Sequence, residues 1–153
     1  MSYESWGRVR LRKRTATPAE TADLPNLSVS GILLPYGNGR SYGASCHNDE
    51  GTLLDCRGLD RILGFDEQTG DLHCQAGVLL SDILGFAIPR GFFLPVTPGT
   101  QFVTVGGAIA NDVHGKNHHR RGTFGNQVRS FRLVRSDRGT LACDREDNAD
   151  LFA

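Results

Sequence analysis

The chain reads as an α+β fold, and three observations lead there. Short apolar runs of strand character recur along it, one stretch keeps apolar residues at helical spacing, and turn residues punctuate the runs at short intervals. Glycine is the compositional outlier: about 11 are expected at this length, and the sequence has 19. They are clustered without low complexity, which marks loops that need unusual backbone angles or admit a ligand close to the main chain. A length of 153 residues is enough for one domain with a real core.

The elements follow in order. Residues 1–30 form a lead-in, in which "TATPAETADLPNLS" is polar and proline-punctuated, with a short helix expected after Thr17 or Pro18. The main domain spans 31–153. "GILLPYG" is a short apolar strand stopped by proline and glycine, and "TLLDC" (52–56) is a second. "RILGFDEQTGDLHCQAG" is a hairpin turning at Gln68-Thr69-Gly70. "VLLSDILGFAIPRG" is the amphipathic helix, ended by Pro89 and Gly91. "FFLP" is a short extended piece. "QVRSFRLVRSDRGTLAC" is a second hairpin, turning at Asp137-Arg138-Gly139, with Val128, Ser130, Arg132 and Val134 on one side of its first arm and Arg129, Phe131, Leu133 and Arg135 on the other. Asp150-Leu151-Phe152 starts a helix with no helix after it, so a chain cut inside its domain is expected.

Charge excludes little. The net charge is zero, from 17 basic and 17 acidic residues, which gives no global pointer to nucleic acid. "RVRLRKR" (8–14) is basic, and so is the run from Lys116 to Arg138, where Asp137 is the only acid. Each reads as a solvated face, or the second as an anion site. A non-catalytic anion- or nucleic-acid-binding module built on 116–138 is thus the rival to an enzyme, although only Phe124 and Phe131 are there for base stacking. Cys46, Cys56, Cys74 and Cys143 lack the CxxC spacing of zinc or redox motifs and read as reduced, small core residues. No apolar run is long enough to span a bilayer.

Two stretches carry chemistry. In "PYGNGRSYG" (35–43), a strand runs into Gly37, Gly39 and Gly43, whose bare backbone can cradle a phosphate while Arg40 and Ser41 add donors. A polar loop and a strand follow instead of a helix, so this is not a Rossmann turn. In "PVTPGTQFVTVGGAIANDVHGKNHHRRGTFGN" (95–126), two prolines fix the entry and "TVGGAIA" has only small residues, suited to lie flat against a planar partner. A loop of this length inside a compact domain is usually functional. His114, His118 and His119 raise a metal reading, which Gly115 and Asn117 oppose by disfavouring the helix it needs, so no metal is expected. The fit is to a large flat anionic cofactor, with phosphates on the first loop and rings against the second.

"GNGRSYG", the whole 95–126 block, "WGR" (6–8) and the tail "DNADLFA" resemble the FAD-binding domain of the vanillyl-alcohol-oxidase (PCMH-type) flavoproteins. The likeness is greatest to the subfamily of decaprenylphosphoryl-ribose oxidases and their bacterial relatives. It implies an FAD domain in two α+β lobes with the cofactor between them, and a separate cap domain that supplies most of the substrate pocket. It places Gly37, Asn38, Gly39, Arg40, Ser41, Tyr42 and Gly43 around the pyrophosphate, with Pro35 and Tyr36 at the loop's entry. Pro98, Gly99 and Thr100, then Thr104, Val105, Gly106, Gly107 and Ala108, match the segment along the flavin and diphosphate. Asn111, Asp112, Val113, His114 and Gly115 match the segment beside the isoalloxazine, with His114 nearest the reacting ring; Lys116 and Asn117 match residues on the reaction side. His114 and Lys116 are the catalytic candidates.

Many relatives attach FAD through a histidine in the first loop. Arg40 stands there, so non-covalent FAD is expected. The implied reaction is oxidation of a secondary alcohol on a sugar or polyprenyl-linked sugar to a ketone, by hydride transfer to flavin N5. The family continues past "DLF" with a glycine-rich segment that touches FAD and then the cap domain; neither is in this sequence. Substrate contacts, and any peripheral membrane contact of an otherwise cytoplasmic protein, are expected from those parts.

Overall fold

The computed structural model describes residues 3–8, 15–18, 31–48 and 50–152. Its first sheet has three parallel strands in the order β1-β3-β2: β1 (Thr15–Pro18), β2 (Leu33–Tyr36) and β3 (Thr52–Asp55). The centre strand is buried at every residue, as an apolar parallel strand must be. Pro35 lies in β2, an edge strand, where a missing N–H is tolerated. The sheet draws Thr15–Pro18 out of the segment read as a lead-in; the helix expected beyond Pro18 falls outside the described residues.

Both hairpins form as read. β4 (Ile62–Phe65) pairs antiparallel with β5 (Leu72–Cys74). Asp66 Oδ1 organises the turn by accepting from the N–H groups of Gln68 (2.8 Å) and Thr69 (3.3 Å), and Gly70 supplies the left-handed φ of 78°. β6 (Phe131–Arg135) pairs with β7 (Gly139–Cys143), with Gly139 at φ 67°. The alternation of β6 is visible in its burial: Phe131, Leu133 and Arg135 are half-buried, while Arg132 and Val134 are exposed. In the run 116–138, Arg129 pairs with Asp71 and Arg135 with Asp137, each at 2.8 Å, so part of its charge is already matched inside the fold.

Helix α1 (Leu80–Ala87) turns Leu80, Ile83 and Ala87 inward. Asp82 reaches back to the Leu79 N–H at 3.3 Å, and the chain leaves through a 3₁₀ turn, Ile88–Arg90, into left-handed Gly91. "FFLP" forms neither helix nor strand, and Pro95 sits at a bend. The small-residue stretch, read as lying flat, is helical instead: α2 (Val105–Ala110). Two short helices follow, α3 (His118–Arg121) and α4 (Ala149–Phe152), and Phe152 stacks on Phe131 at 5.4 Å. The main core joins Val78, Leu80, Ile83, Val96, Ala108 and Phe124, thus packing α1, α2 and the 95–126 segment together. All four cysteines are free; Cys46 and Cys143 are buried, and burial pushes the Cys74 thiol up to about 11. No helix among the described residues is long and apolar enough to cross a membrane.

One polar cluster ties the first sheet to residues 3–8. Asp55 accepts from Arg57 Nε (2.8 Å) and a terminal guanidinium nitrogen (2.6 Å), from the Arg57 N–H (3.1 Å) and from the Tyr3 hydroxyl (3.1 Å). The Arg57 guanidinium lies over the rings of Tyr3 and Tyr36. Arg57's hydrogen bonds hold the Asp55 carboxyl below the usual carboxylate range despite burial. A depressed carboxylate stabilises above its unfolded pKa and loses that contribution as pH falls through its folded value. Asp55→Asn is therefore expected to cost about 2 kcal/mol at neutral pH. The deficit should shrink below about pH 4. Urea unfolding at several pH values checks this; a deficit independent of pH would assign Asp55 to packing alone.

Candidate functional site

The two glycine-rich stretches meet. A Cβ on Gly37 would stand 2.6 Å from Thr104 Oγ1, and Asn38 Nδ2 donates to the Phe102 carbonyl at 2.8 Å. The end of β2 is thus pressed against the residue that opens α2. Thr104 is buried, and its hydroxyl caps that helix by accepting from the Gly107 N–H at 3.2 Å. The Val105 and Gly106 N–H groups go to the carbonyls of Val78 and Ala76, both at 2.8 Å. The first donors of α2 are therefore spent on the fold, and an anion here must draw on the other loop.

That loop offers donors. None of the N–H groups from Asn38 to Gly43 donates to another group of the chain among the described residues. The exposed Arg40 and half-exposed Ser41 add a guanidinium and a hydroxyl. This donor set is chemically suited to a diphosphate. The bareness of its glycines has mixed causes. At Gly39, φ 62°, a Cβ would run into the Glu4 carbonyl oxygen and the Tyr36 hydroxyl, so the protein itself excludes a side chain. At Gly43, φ 58°, nothing lies within 4 Å and only the backbone angle asks for glycine. Tyr36 is buried, with its phenol pushed up by burial; its hydroxyl donates to the Glu4 carbonyl at 2.7 Å.

The second stretch builds a cavity of about 570 Å³ lined by Thr97, Pro98, Gly99, His114, Gly115, Lys116, Asn117 and His118. Its floor is fixed from several sides. Asp112, at a left-handed φ of 39°, accepts from the Gly125 N–H at 2.8 Å. The Phe124 N–H donates to the Val113 carbonyl at 2.8 Å, and His114 bridges to Thr123. Gly115 is buried against the Thr97 carbonyl, and Asn117 Nδ2 donates to the Pro95 carbonyl at 3.0 Å. These bonds hold His114 and Lys116, both exposed, at the mouth. The His114 ring meets His118 edge-on, centroids 5.1 Å apart, and its ring nitrogens make no hydrogen bond among the described residues. His118 Nδ1 instead lies 3.1 Å from the Gly115 carbonyl. Among the described residues no group of three potential ligands is placed to hold a metal.

The structure therefore brings together Pro98, Gly99, His114, Gly115 and Lys116 from the sequence-derived set, and separately Gly37 and Asn38 with Thr104. Tyr36 and Ala108 point into the core, Val113 packs against it, and Thr100 and Asn111 serve local turns. Thr97 lines the cavity without having stood out, since a lone threonine gives no spacing signal, and His118, singled out only as a possible metal ligand, lines it too.

A sequence model of the family described as FAD binding domain matches residues 17–143. The chain belongs to that family. FAD is its cofactor, and the donor loop and cavity are the features of this domain that fit one. Among curated relatives, decaprenylphosphoryl-β-D-ribose oxidase of Mycolicibacterium smegmatis is 48% identical over 102 residues, covering 67% of this chain and 22% of that protein. A probable mitochondrial D-2-hydroxyglutarate dehydrogenase of Oryza sativa subsp. indica is 27% identical over 143 residues, covering 90% of this chain and 25% of that protein. The solved structure of an alkyldihydroxyacetonephosphate synthase superposes with a TM-score of 0.75 at 19% identity, over 90% of this chain and 30% of that one. That likeness shows the fold. The FAD-binding domain described here thus spans about a quarter of the length of such relatives.

Proposed function

We propose that this FAD-binding domain serves an oxidoreductase that converts a secondary alcohol of a sugar or lipid-linked sugar to a ketone. The observation that carries the reading is the cavity at Pro98–Gly99 and His114–Lys116, joined through the 95–104 segment to the diphosphate-competent loop. Bound FAD supplies the hydride acceptor, flavin N5. The chain's own part is positional and protic. Gly99 leaves room for a flat ring, and His114 offers an imidazole nitrogen, unspent on the fold among the described residues, to take the hydroxyl proton. Lys116 sets a cation at the same mouth, where charge develops on the substrate oxygen. The relatives' names support the reaction type: ribose and 2-hydroxyglutarate both carry secondary hydroxyls.

The test is anaerobic mixing of the full-length flavoprotein with a polyprenyl-phosphate pentose and, separately, with D-2-hydroxy acids. Bleaching of the flavin band by the pentose alone is expected; bleaching by the hydroxy acid alone would replace the sugar with an acid. FAD is also expected to leave the polypeptide on acid or heat denaturation, because Arg40 occupies the linking position and an arginine forms no flavin bond. Flavin that stays with the precipitated chain would contradict this.

A further inference from the structure

His114, His118 and His119 bring their rings together in a row. His114 meets His118 edge-on with centroids 5.1 Å apart, and His118 meets His119 edge-on at 6.0 Å. The first two of these rings line the same cavity, yet they are held very differently. His118 Nδ1 lies 3.1 Å from the Gly115 carbonyl oxygen. A carbonyl oxygen only accepts, so Nδ1 carries the hydrogen in this contact. The same oxygen accepts from the His118 backbone N–H at 3.2 Å. One acceptor therefore fixes His118 by both its main chain and its ring. The turn beneath it is closed as well: the Arg120 and Arg121 N–H groups donate to the Asn117 carbonyl at 2.9 and 3.0 Å, and the Gly122 N–H to the His118 carbonyl at 2.9 Å.

His114 has no such anchor. Its backbone is bridged to Thr123, but its side chain is exposed and its ring makes no hydrogen bond among the described residues. An exposed side chain without a bond moves among several staggered rotamers. A general base must lie about 2.6–3.2 Å from the proton that it takes. A misplacement of about 1 Å can slow a reaction about 100-fold. Among the described residues, the edge of His118 is the one aromatic contact that restricts the His114 ring.

We propose that His118 is a positioning residue for His114: the imidazole anchored on Gly115 backs the unanchored one and confines it to rotamers that face the cavity. The proposal rests on the reading of His114 as the base of the oxidation, and it adds the residue that aims that base. His118 takes no proton itself and needs no contact with substrate. Its effect therefore passes wholly through His114, and a double-mutant cycle reads such a dependence directly.

The experiment uses the full-length flavoprotein, reduced anaerobically by whichever of the pentose and the hydroxy acid bleaches the wild-type flavin. His118→Ala is expected to lower the limiting reduction rate about 10- to 100-fold, with the half-saturating substrate concentration, FAD affinity and melting temperature near wild type. His118→Phe, which keeps a ring edge against His114, should recover most of that rate. In a His114→Ala background, His118→Ala should slow nothing further, because no base is left to aim. Equal slowing in both backgrounds would overturn the proposal and make His118 act by itself or through the fold of its loop. A wild-type rate in His118→Ala would also overturn it. A rate indifferent to His114→Ala would remove the reading of His114 as base, and the proposal with it. A second readout needs no turnover: in the resting flavoprotein with ring-labelled histidine, the His114 NMR signal should shift and sharpen in His118→Ala and stay broad in His118→Phe. A signal unmoved by His118→Ala would mean that His118 does not order His114, and would overturn the proposal whatever the reaction proves to be.

Discussion

Replacing His114 by alanine in the full-length enzyme is expected to slow reduction of the flavin by substrate about 100- to 10,000-fold, with a much smaller effect on FAD affinity. A histidine retained for structure commits its ring nitrogens to the fold, as His118 does toward the Gly115 carbonyl at 3.1 Å. Among the described residues the His114 ring makes only an edge contact with His118, and its backbone is held by the bridge to Thr123, so alanine leaves the loop's frame in place. Anaerobic single-turnover reduction separates chemistry from cofactor binding. A normal reduction rate with FAD bound would assign His114 to shaping the cavity and move the base elsewhere.

The elements that the sequence made legible are those decided locally. Gly70 and Gly139 mark both hairpin turns because a left-handed angle is needed there and little else supplies it. Helix α1 follows from Leu80, Ile83 and Ala87 on one face. Helix α2 was hidden, since Gly106 and Gly107 argue against any helix. Its first turn is set by long-range bonds, Val105 to Val78 and Gly106 to Ala76, and by the Thr104 cap. The site divides the same way. His114 to Lys116 were visible as a cluster of titratable groups, and the structure brings them to one mouth with Pro98 and Gly99. The meeting of Gly37 with Thr104, and of Gly39 with Glu4, was not visible. Each glycine announced that something comes close and gave no sign that the neighbour was the protein itself.

That distinction sets the second large effect. Gly39→Ala and Gly43→Ala place the same side chain on the same loop at nearly the same backbone angle, φ 62° and φ 58°. Forcing an L-residue into that region costs about 1 kcal/mol or slightly more at either site. At Gly43 the cost ends there, because nothing stands within 4 Å of the new Cβ. At Gly39 the Cβ meets the Glu4 carbonyl oxygen and the Tyr36 hydroxyl, which are bonded to each other and cannot yield separately. Overpacking adds about 1–3 kcal/mol more, so Gly39→Ala is expected to lose about 3 kcal/mol and Gly43→Ala about 1. Relief at Gly39 requires residues 4–8 to lift from the loop, which breaks the Glu4 bonds to Tyr36 and the Trp6 bond to Ser41. Denaturant unfolding of the two flavin-free variants measures the difference. Equal losses would mean that residues 4–8 rest on the loop without bracing it, and that Gly39, like Gly43, is glycine for its backbone angle alone.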